Sequence, residues 1–223
     1  MNYTELTAAI CDYTQNFEQD FVANIPVFVQ QAEQRIFNTV QFPSIRKNVT
    51  GTMSANNKYL SCPGDFLATY SIAVIDATGA YEYLLNKDVN FIRQAYPTPT
   101  ATGIPKYYAL FGPTTAGAVI TDELSFILGP TPNAAYSVEL HYYYYPESIS
   151  VAADGRTWLG DNFDSVLLYG SLVEAITFMK GEADMVALYD GKYKEALAMA
   201  KRLGDGMEKQ DQYRSGAYRQ AVT

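Results

Sequence analysis

Residues 136–145 read YSVELHYYYY, and this stretch is the clearest indication of the fold class. Side chains of different character alternate along it, which is the pattern of a β-strand with one side in a core. The side expected in the core consists of Tyr136, Val138, Leu140, Tyr142 and Tyr144. The opposite side consists of Ser137, Glu139, His141, Tyr143 and Tyr145. Aromatic residues therefore occur on both sides of one predicted strand.

The region around this strand has the composition of a β-rich segment. Proline, glycine, threonine and asparagine are frequent over residues 49–146, and the apolar period falls to two. Five further strands are predicted at residues 59–62, 66–75, 81–85, 106–111 and 123–128. The tetrapeptide DATG at residues 76–79 is typical of a hairpin turn, and residues 88–94 are expected to form a short helix. Residues 96–105 are too rich in proline and threonine for either element.

Helical periodicity is found on the N-terminal side of this region. Apolar residues recur at helical spacing after Thr4, which we predict as the N-cap of a first helix. A second helix is predicted to begin at Asn24 as its N-cap, with Pro26 tolerated in the first turn. Pro43 is expected to end it, because proline cannot continue the helical hydrogen bonds.

Two more helices are predicted on the C-terminal side. Asp161 or Asp164 is expected to cap the first of them, and Gly181 to stop it. The second is expected to stop near Gly204. Beyond Gly206 the chain is polar and cannot bury enough apolar area to fold alone.

The order of helices, strands and helices predicts an α+β fold. Residues 1–48 and 155–204 are expected to pack together as one helical bundle domain. Residues 49–154 are expected to form a β-rich insertion between the two helical segments. Residues 205–223 are expected to form an extended C-terminal arm.

The chain is acidic overall, but its C-terminal end is basic. There are 24 aspartate and glutamate residues against 16 lysine and arginine residues, a formal net charge of −8. A protein that grips nucleic acid needs a basic surface, because phosphate neutralisation supplies most of the affinity. From Lys192 onward seven basic residues accompany four acidic ones, a net charge of +3. An end of opposite charge indicates contact with another component.

The sequence contains no residue constellation that predicts catalysis. His141 is the only histidine, and no nucleophile is placed to use it. Cys11 and Cys62 lie far apart without metal-ligand spacing and are expected to be small buried or half-buried residues. The aspartates near Gly155 lack EF-hand spacing, so helix capping explains them more simply, with a bound cation as the alternative. We therefore predict no enzymatic activity, no cofactor and no metal site.

Tyrosine is the unusual feature of the composition, with 19 residues, including all of residues 142–145. Tyrosine is common in β-sheets that have one side in the core and one side in solvent, and it is also enriched at protein–protein interfaces. Stacking on nucleic acid is a third use, which the acidic balance disfavours. We predict contacts with other subunits on the outward side of the last strand and in the basic C-terminal end. The residues concerned are Tyr143, Tyr145, Tyr213, Arg214, Tyr218 and Arg219.

Six short segments occur in an order that resembles one protein family. They are residues 25–36 (IPVFVQQAEQRI), 60–67 (LSCPGDFL), 103–108 (GIPKYY), 139–146 (ELHYYYYP), 157–159 (TWL) and 168–175 (LYGSLVEA). Each segment alone is common, whereas the ordered set is more specific. Together they resemble the podovirus-type head-to-tail adaptor, or connector, proteins of tailed bacteriophages.

The resemblance implies a structural virion subunit that docks beneath the portal protein as a ring, usually a dodecamer. It also implies that DNA passes through the ring without sequence-specific binding, and that tail nozzle or tail fibre proteins attach below. The acidic balance suits such a channel, because carboxylates repel phosphate. By position in the chain, the basic end is expected to contact the portal. The implied location is the neck or tail of the virion, after synthesis in the host bacterial cytoplasm.

Two other classes of protein stay open on the sequence. A tyrosine-rich carbohydrate or receptor-binding module of a virion would be a monomer or a small oligomer that binds glycans, although the flanking helices argue against a plain sandwich. A hydrolase with an unrecognised site is the third interpretation. No stretch approaches the ~18 apolar residues of a membrane span, and the polar residues 1–20 do not resemble a signal peptide. We therefore expect no membrane contact.

Overall fold

The computed structural model describes residues 1–98, 100–112, 115–116, 119–120 and 124–214. The chain is divided into two compact units. The helical unit consists of Met1–Ile45 and the chain from Tyr145 onward. The β unit consists of Arg46–Tyr144. Helices and sheets are both present, so the predicted α+β class is confirmed.

The helices of the described residues are α1 (Tyr3–Thr14), α2 (Gln19–Thr39), α3 (Val89–Ala95), α4 (Trp158–Asn162), α5 (Asp164–Phe178) and α6 (Ala183–Arg214). The strands are β1 (Arg46–Met53), β2 (Tyr59–Ser61), β3 (Ala68–Ile75), β4 (Tyr81–Tyr83), β5 (Leu85–Asn86), β6 (Thr102–Gly103), β7 (Tyr107–Phe111), β8 (Thr115–Ala116), β9 (Val119–Ile120), β10 (Ser125–Gly129), β11 (Thr131–Pro132) and β12 (Tyr136–Tyr143). In the described part of the chain, no helix has the length together with the apolar composition that crossing a membrane requires.

Helix α5 packs against α1, α2 and α6 and forms the centre of the helical unit. Leu167 and Leu172 of α5 are completely buried. Gly170 lets the neighbouring helices approach α5 closely. A Cβ atom at this position would lie 3.2 Å from the Cβ of Ala32 on α2 and 3.2 Å from the ring of Tyr193 on α6.

Helix α1 begins earlier than the sequence analysis predicts. Its N-cap is Asn2 and not Thr4. The side chain of Asn2 accepts a hydrogen bond from the Glu5 N–H at 2.9 Å, and the Glu5 carboxylate accepts one from the Asn2 N–H at 2.9 Å. This reciprocal capping box satisfies two donors at the helix end. Thr4 could not form it, because the residue three positions later, Thr7, has no carboxylate.

Helix α2 also begins earlier, at Gln19, so the predicted start at Asn24 is wrong. Pro26 lies inside the helix instead of in its first turn. An interior proline costs about 3 kcal/mol, because it has no N–H to donate and crowds the preceding turn. The turns before and at Pro26 bury Phe21 and Ile25. Burial of such side chains contributes about 1.5–3 kcal/mol each, which offsets that cost.

The predicted caps of the C-terminal helices are wrong as well. Thr157 caps α4, because its hydroxyl accepts a hydrogen bond from the Gly160 N–H at 3.2 Å. Asp161 lies within α4, and Asp164 is the first residue of α5. The N-cap of α5 is Phe163, which makes no side-chain capping bond.

Helix α6 continues through Gly204 to Arg214, so the expected helix end near Gly204 is wrong. The first part of the predicted C-terminal arm, residues 205–214, is helical. A glycine costs about 1 kcal/mol in a helix interior, which weakens a helix without ending it. Gly204 is buried, and its lack of a side chain allows close packing, since a Cβ at this position would lie 3.1 Å from Cγ1 of Val40. Residues 215–223 of the predicted arm lie outside the described residues.

The β unit contains two four-stranded sheets with the orders β1-β12-β3-β4 and β2-β10-β7-β5. Their facing sides share one hydrophobic core. The first sheet contributes Met53, Ile72, Val74, Val138, Leu140 and Tyr142, and the second contributes Tyr108, Phe126 and Leu128. Helix α3 covers the other side of the second sheet, where Ile92 packs with Ala109 and Ile127.

Most of the predicted β elements are confirmed. The hairpin turn at residues 76–79 joins antiparallel β3 and β4, and the Asp76 N–H donates to the Ala80 carbonyl at 3.0 Å. The predicted short helix is α3, with Asp88 as its N-cap. Residues 81–85 form no single strand, however. They are divided into β4, in the first sheet, and the start of β5, in the second.

Strand β1 was not predicted. Its sequence, RKNVTGTM, contains Val49 and Met53 as its only large apolar residues, so alternation is weak. Eight register pairs with β12, from Arg46 opposite Tyr143 to Met53 opposite Tyr136, hold it in the sheet. Such pairing joins residues that are distant in sequence, and local periodicity cannot indicate it.

Candidate assembly interface

The candidate interface is the outer side of the β1-β12-β3-β4 sheet. The alternation predicted for β12 is confirmed, because Val138, Leu140 and Tyr142 are buried in the core. The outward residues Glu139, His141 and Tyr143 are half-buried. Successive side chains of a strand point to opposite sides, so the neighbouring strands must supply the rest of this surface.

A β-bulge adds a tyrosine to the outer side of β3. The register between β12 and β3 shifts between His141 and Tyr142, which leaves Tyr70 as the extra residue of β3. A bulge changes the direction of a side chain locally. The ring centroid of Tyr70 lies 6.2 Å from that of His141 and 6.0 Å from that of Tyr143. Three rings from two strands therefore form one cluster.

Arg46 joins this cluster from β1, where it is paired with Tyr143. The guanidinium carbon of Arg46 lies 4.6 Å from the ring centroid of Tyr70 and 5.7 Å from that of Tyr143. A cation over a tyrosine ring contributes about 0.5–1 kcal/mol at an exposed site. The guanidinium group therefore helps to order both rings before a partner binds. Less conformational entropy is then lost on binding.

The β3–β4 hairpin supplies two more tyrosines, Tyr81 and Tyr83. Tyr83 on β4 is paired with Ala73 on β3, and Ala73 is in turn paired with Glu139 on β12. The Glu139 carboxylate interacts with the Tyr81 hydroxyl and raises the pKa of Tyr81. Glu139 also accepts a hydrogen bond from Nδ2 of Asn48 at 2.8 Å.

We call this surface the tyrosine face. Its residues are Arg46, Tyr70, Tyr81, Tyr83, Glu139, His141 and Tyr143. Tyr70, Tyr81 and Tyr83 are 48%, 53% and 66% exposed. Clustered exposed aromatic side chains mark sites of protein contact. The tyrosine face offers π surfaces, hydroxyl groups and two opposite charges, which is the composition of a protein-binding surface.

The predicted contact residues fall in different parts of the chain. Tyr143 lies on the tyrosine face. Tyr145 belongs to the helical unit, where its hydroxyl donates to Oδ1 of Asn38 at 2.6 Å. The prediction that Tyr145 continues the strand is wrong, because β12 ends at Tyr143, opposite Arg46, the first residue of β1. Strand β1 therefore has no residue left to pair beyond that point.

The remaining predicted contact residues lie at the C-terminal end. Tyr213 and Arg214 are the last two residues of α6. Tyr218 and Arg219 lie outside the described residues. A role of these four residues in assembly stays a prediction.

Sequence reasoning missed four members of the tyrosine face: Arg46, Tyr70, Tyr81 and Tyr83. A signal for Tyr81 and Tyr83 was present, because a hairpin turn at residues 76–79 places them opposite residues of β3. Tyr70 had no such signal. Its position depends on a bulge, and the extra residue becomes visible only when both strands are paired.

The other candidate residues show ordinary structural environments. Cys11 is buried and Cys62 half-buried, as predicted, and neither forms a disulfide. Burial raises the pKa of Cys62 to about 12, so its thiol is protonated at neutral pH. Asp161 lies 3.8 Å from a guanidinium nitrogen of Arg156. In the part of the chain that the structure describes, no group of three or more histidine, cysteine, aspartate or glutamate residues could hold a metal ion.

Comparison with known proteins supports the coarser part of the resemblance found in the sequence motifs, that of a phage adaptor protein. The family described as SU10 adaptor protein matches residues 1–221 of the chain. No curated protein matches it. The family match includes both the helical unit and the β unit. The chain therefore belongs to the SU10 adaptor protein family and is a structural adaptor protein of a bacteriophage.

Proposed function

We propose that this protein is a head-to-tail adaptor subunit of the podovirus type, which forms a ring beneath the portal and carries the tail nozzle or tail fibre proteins. The family match supports an adaptor role and a location in the virion. The observation that carries the proposal is the tyrosine face, where Tyr70, Tyr81 and Tyr83 are exposed and Arg46 lies over the rings of Tyr70 and Tyr143. A subunit whose function is to be held by its neighbours needs such a surface.

In this proposal the tyrosine face contacts a neighbouring copy in the ring. Tyrosine supplies a large contact area with few rotatable bonds, so its ordering costs little entropy. A head-to-tail contact of this kind closes into a ring when the rotation between copies is correct. A symmetric portal would fix that rotation, and the copy number would follow the portal, with a dodecamer expected.

Portal binding tests the proposal directly. The isolated chain is mixed with purified portal rings, and the mass of the products is measured by sedimentation and mass photometry. We expect a smaller species alone and a complete ring on the portal. The double variant Tyr70→Ser/Tyr83→Ser should fail to complete the ring. The control is Tyr59→Ser, which changes a tyrosine that is 36% exposed on β2 of the other sheet. A complete ring with the double variant would show that the tyrosine face is not the contact.

The C-terminal end is proposed to contact the portal, together with Tyr145. The segment from Lys192 onward carries a net charge of +3 on a chain of net charge −8. An acidic portal surface would attract it. Two truncations separate the contributions: removal of residues 215–223, which include Tyr218 and Arg219, and removal of residues 207–223, which also include Tyr213 and Arg214. Portal affinity unchanged in both truncations would contradict the proposed contact.

The ring is also proposed to form part of the DNA channel. The net charge of −8 favours passage of DNA over its retention in the channel, because carboxylates at a channel wall repel phosphate. Titration of the assembled ring with duplex DNA at low salt should give weak binding without sequence preference. Tight, sequence-dependent binding would contradict a passive channel.

A virion module that binds carbohydrate or a receptor is the second candidate function. The specific observation in its favour is the same exposed aromatic surface, since sugar rings also pack on tyrosine. A glycan array and the portal assay distinguish the two functions. The second function would be favoured if the chain stays monomeric, does not bind the portal and binds a glycan. The substitution Tyr83→Ser should then abolish glycan binding.

A further inference from the structure

The helical unit contains a pocket that the proposed ring contact does not use. It has a volume of about 210 Å³ and lies beside α2. Its lining includes Gln30, Glu33, Gln34, Phe37, Tyr145 and Ser148. Gln30, Gln34 and Tyr145 are exposed, so the pocket is open to solvent. A volume of this size exceeds that of several waters, at roughly 30 Å³ each, and admits a guanidinium group.

Glu33 supplies the carboxyl group of the pocket and is only 4% exposed. On balance the pKa of Glu33 is raised, because burial outweighs the opposing hydrogen bonding from the Ile149 N–H and Ser148. The Ile149 nitrogen lies 3.0 Å from Oε1 of Glu33. An ionised carboxylate has about four acceptor sites, so these two donors leave acceptor capacity unused. Within the described lining there is no lysine or arginine to balance the charge.

The remaining walls are aromatic rings and amide groups. Phe37 is buried, and the Tyr145 ring is held in place by its hydroxyl bond to Asn38. The Nε2 atom of Gln30 donates to Oγ of Ser150 at 3.3 Å, which leaves the Gln30 side-chain oxygen as an acceptor. Acceptor oxygens beside aromatic rings are complementary to a planar cation.

We propose that this pocket binds the guanidinium group of an arginine presented by a neighbouring protein of the assembly. Arginine fits better than lysine, because a guanidinium can bond a carboxylate through two parallel N–H groups and also stack on a ring. A calcium ion fits poorly, because it needs six to eight oxygen ligands and Glu33 is the only carboxylate in the lining. The inference rests on the proposed function only for the source of the arginine.

A titration of the isolated full-length chain with N-acetyl-L-arginine amide tests the pocket. The amide signals of Ile149 and Ser148 and the carboxyl signal of Glu33 are followed by NMR. We expect saturable shifts with a dissociation constant of the order of millimolar, as befits a single group. The titration midpoint of Glu33 should fall when the probe is present, because a nearby cation favours the charged carboxylate.

Two matched controls isolate the charge. N-acetyl-L-citrulline amide has nearly the same shape without the charge and should bind at least about tenfold more weakly. Glu33→Gln keeps an acceptor for the Ile149 N–H but removes the anion, and should weaken arginine binding by a similar factor. Equal binding of both probes, or no shifts at Ile149 and Ser148, would overturn the proposal, and neither result depends on the stability of a variant.

The failure of this inference can be told from the failure of the ring proposal. The probe titration contains no portal, and the portal assay does not depend on the probe. If the chain completes the ring on the portal but does not bind the arginine probe, only the pocket proposal is disproved. A chain that binds the probe through Glu33 but forms no ring on the portal disproves the ring proposal alone.

Discussion

Tyr142 and Tyr143 are adjacent in the chain and lie on opposite sides of one sheet. Tyr142 is 1% exposed, its ring lies 5.9 Å from that of Phe66, and its hydroxyl donates to Oδ1 of Asp65 at 2.7 Å. Tyr143 is half-buried beside Tyr70 and Arg46. Both residues are tyrosines, and they differ in what packs against their rings. The second sheet covers Tyr142, whereas Tyr143 lies on the uncovered side.

The largest expected effect is on the covered side. Tyr142→Ala should lower the free energy of unfolding by about 3–5 kcal/mol, because it leaves a cavity in the core between the sheets. Tyr143→Ala should lower it by about 1 kcal/mol or less. Urea unfolding of the two variants checks the difference. Equal losses would mean that the two sides of the sheet are not energetically distinct.

The next effect concerns binding on the uncovered side. Tyr83→Ala should weaken the contact between ring subunits by about 2 kcal/mol, the size typical of an aromatic hot spot, with little change in stability. Subunit incorporation on portal rings as a function of concentration measures it. Glu82→Ala is the matched control, since Glu82 is the exposed neighbour in β4 whose side chain alternates to the other side. A larger loss with Glu82→Ala would place the contact elsewhere.

A smaller effect is expected when the Tyr142 hydroxyl alone is removed. Tyr142→Phe keeps the ring packing and loses the hydrogen bond to Asp65, so unfolding should become easier by about 0.5–1.5 kcal/mol. Urea unfolding of this variant against the parent measures the loss. A loss as large as that of Tyr142→Ala would show that the hydroxyl bond, and not the packed ring, dominates on the covered side.

The smallest effect is a pH dependence on the covered side. The hydrogen bond from Lys47 is the main cause that lowers the pKa of Asp65, and the bond from Tyr142 adds to it. Because the pKa is lower in the folded state, this stabilisation is present above the unfolded pKa of about 3.9 and is lost as the pH falls through the folded value. The group is partly exposed, so solvent screening reduces the contribution to a few tenths of a kcal/mol.

Asp65→Asn measures this contribution. The parent should be more stable than the variant at pH 6, and the difference should shrink at pH 3, as followed by urea unfolding at each pH. A difference that grows as the pH falls would have the wrong sign for a carboxylate with a lowered pKa.

The helix boundaries show where sequence reasoning fails in the helical unit. Amphipathic spacing correctly indicated where helices occur, because that pattern is local. The caps were misjudged, since Asn2 and Thr157 compete with Thr4, Asp161 and Asp164, and the outcome depends on which backbone N–H each side chain reaches. Helix α2 crosses Pro26 because burial of Phe21 and Ile25 offsets a local penalty. No single segment contains that balance.

The candidate interface was predictable only in part. The exposed position of Tyr143 follows from its place in the alternation of β12. Tyr81 and Tyr83 follow from the hairpin turn once its pairing is considered. Tyr70 and Arg46 could not be found, because one depends on a bulge and the other on a strand with little apolar character.

The sequence by itself determined the α+β class, the family resemblance, and which residues of β12 enter the core. Each of these depends on local periodicity or on short motifs, which persist whatever the rest of the chain does. Only the tertiary structure decided that Tyr70 and Arg46 join Tyr143, that Tyr145 belongs to the helical unit, and that Glu33 lines a pocket. These arrangements depend on strand register and on packing between segments distant in sequence, and that information exists only once the chain has folded.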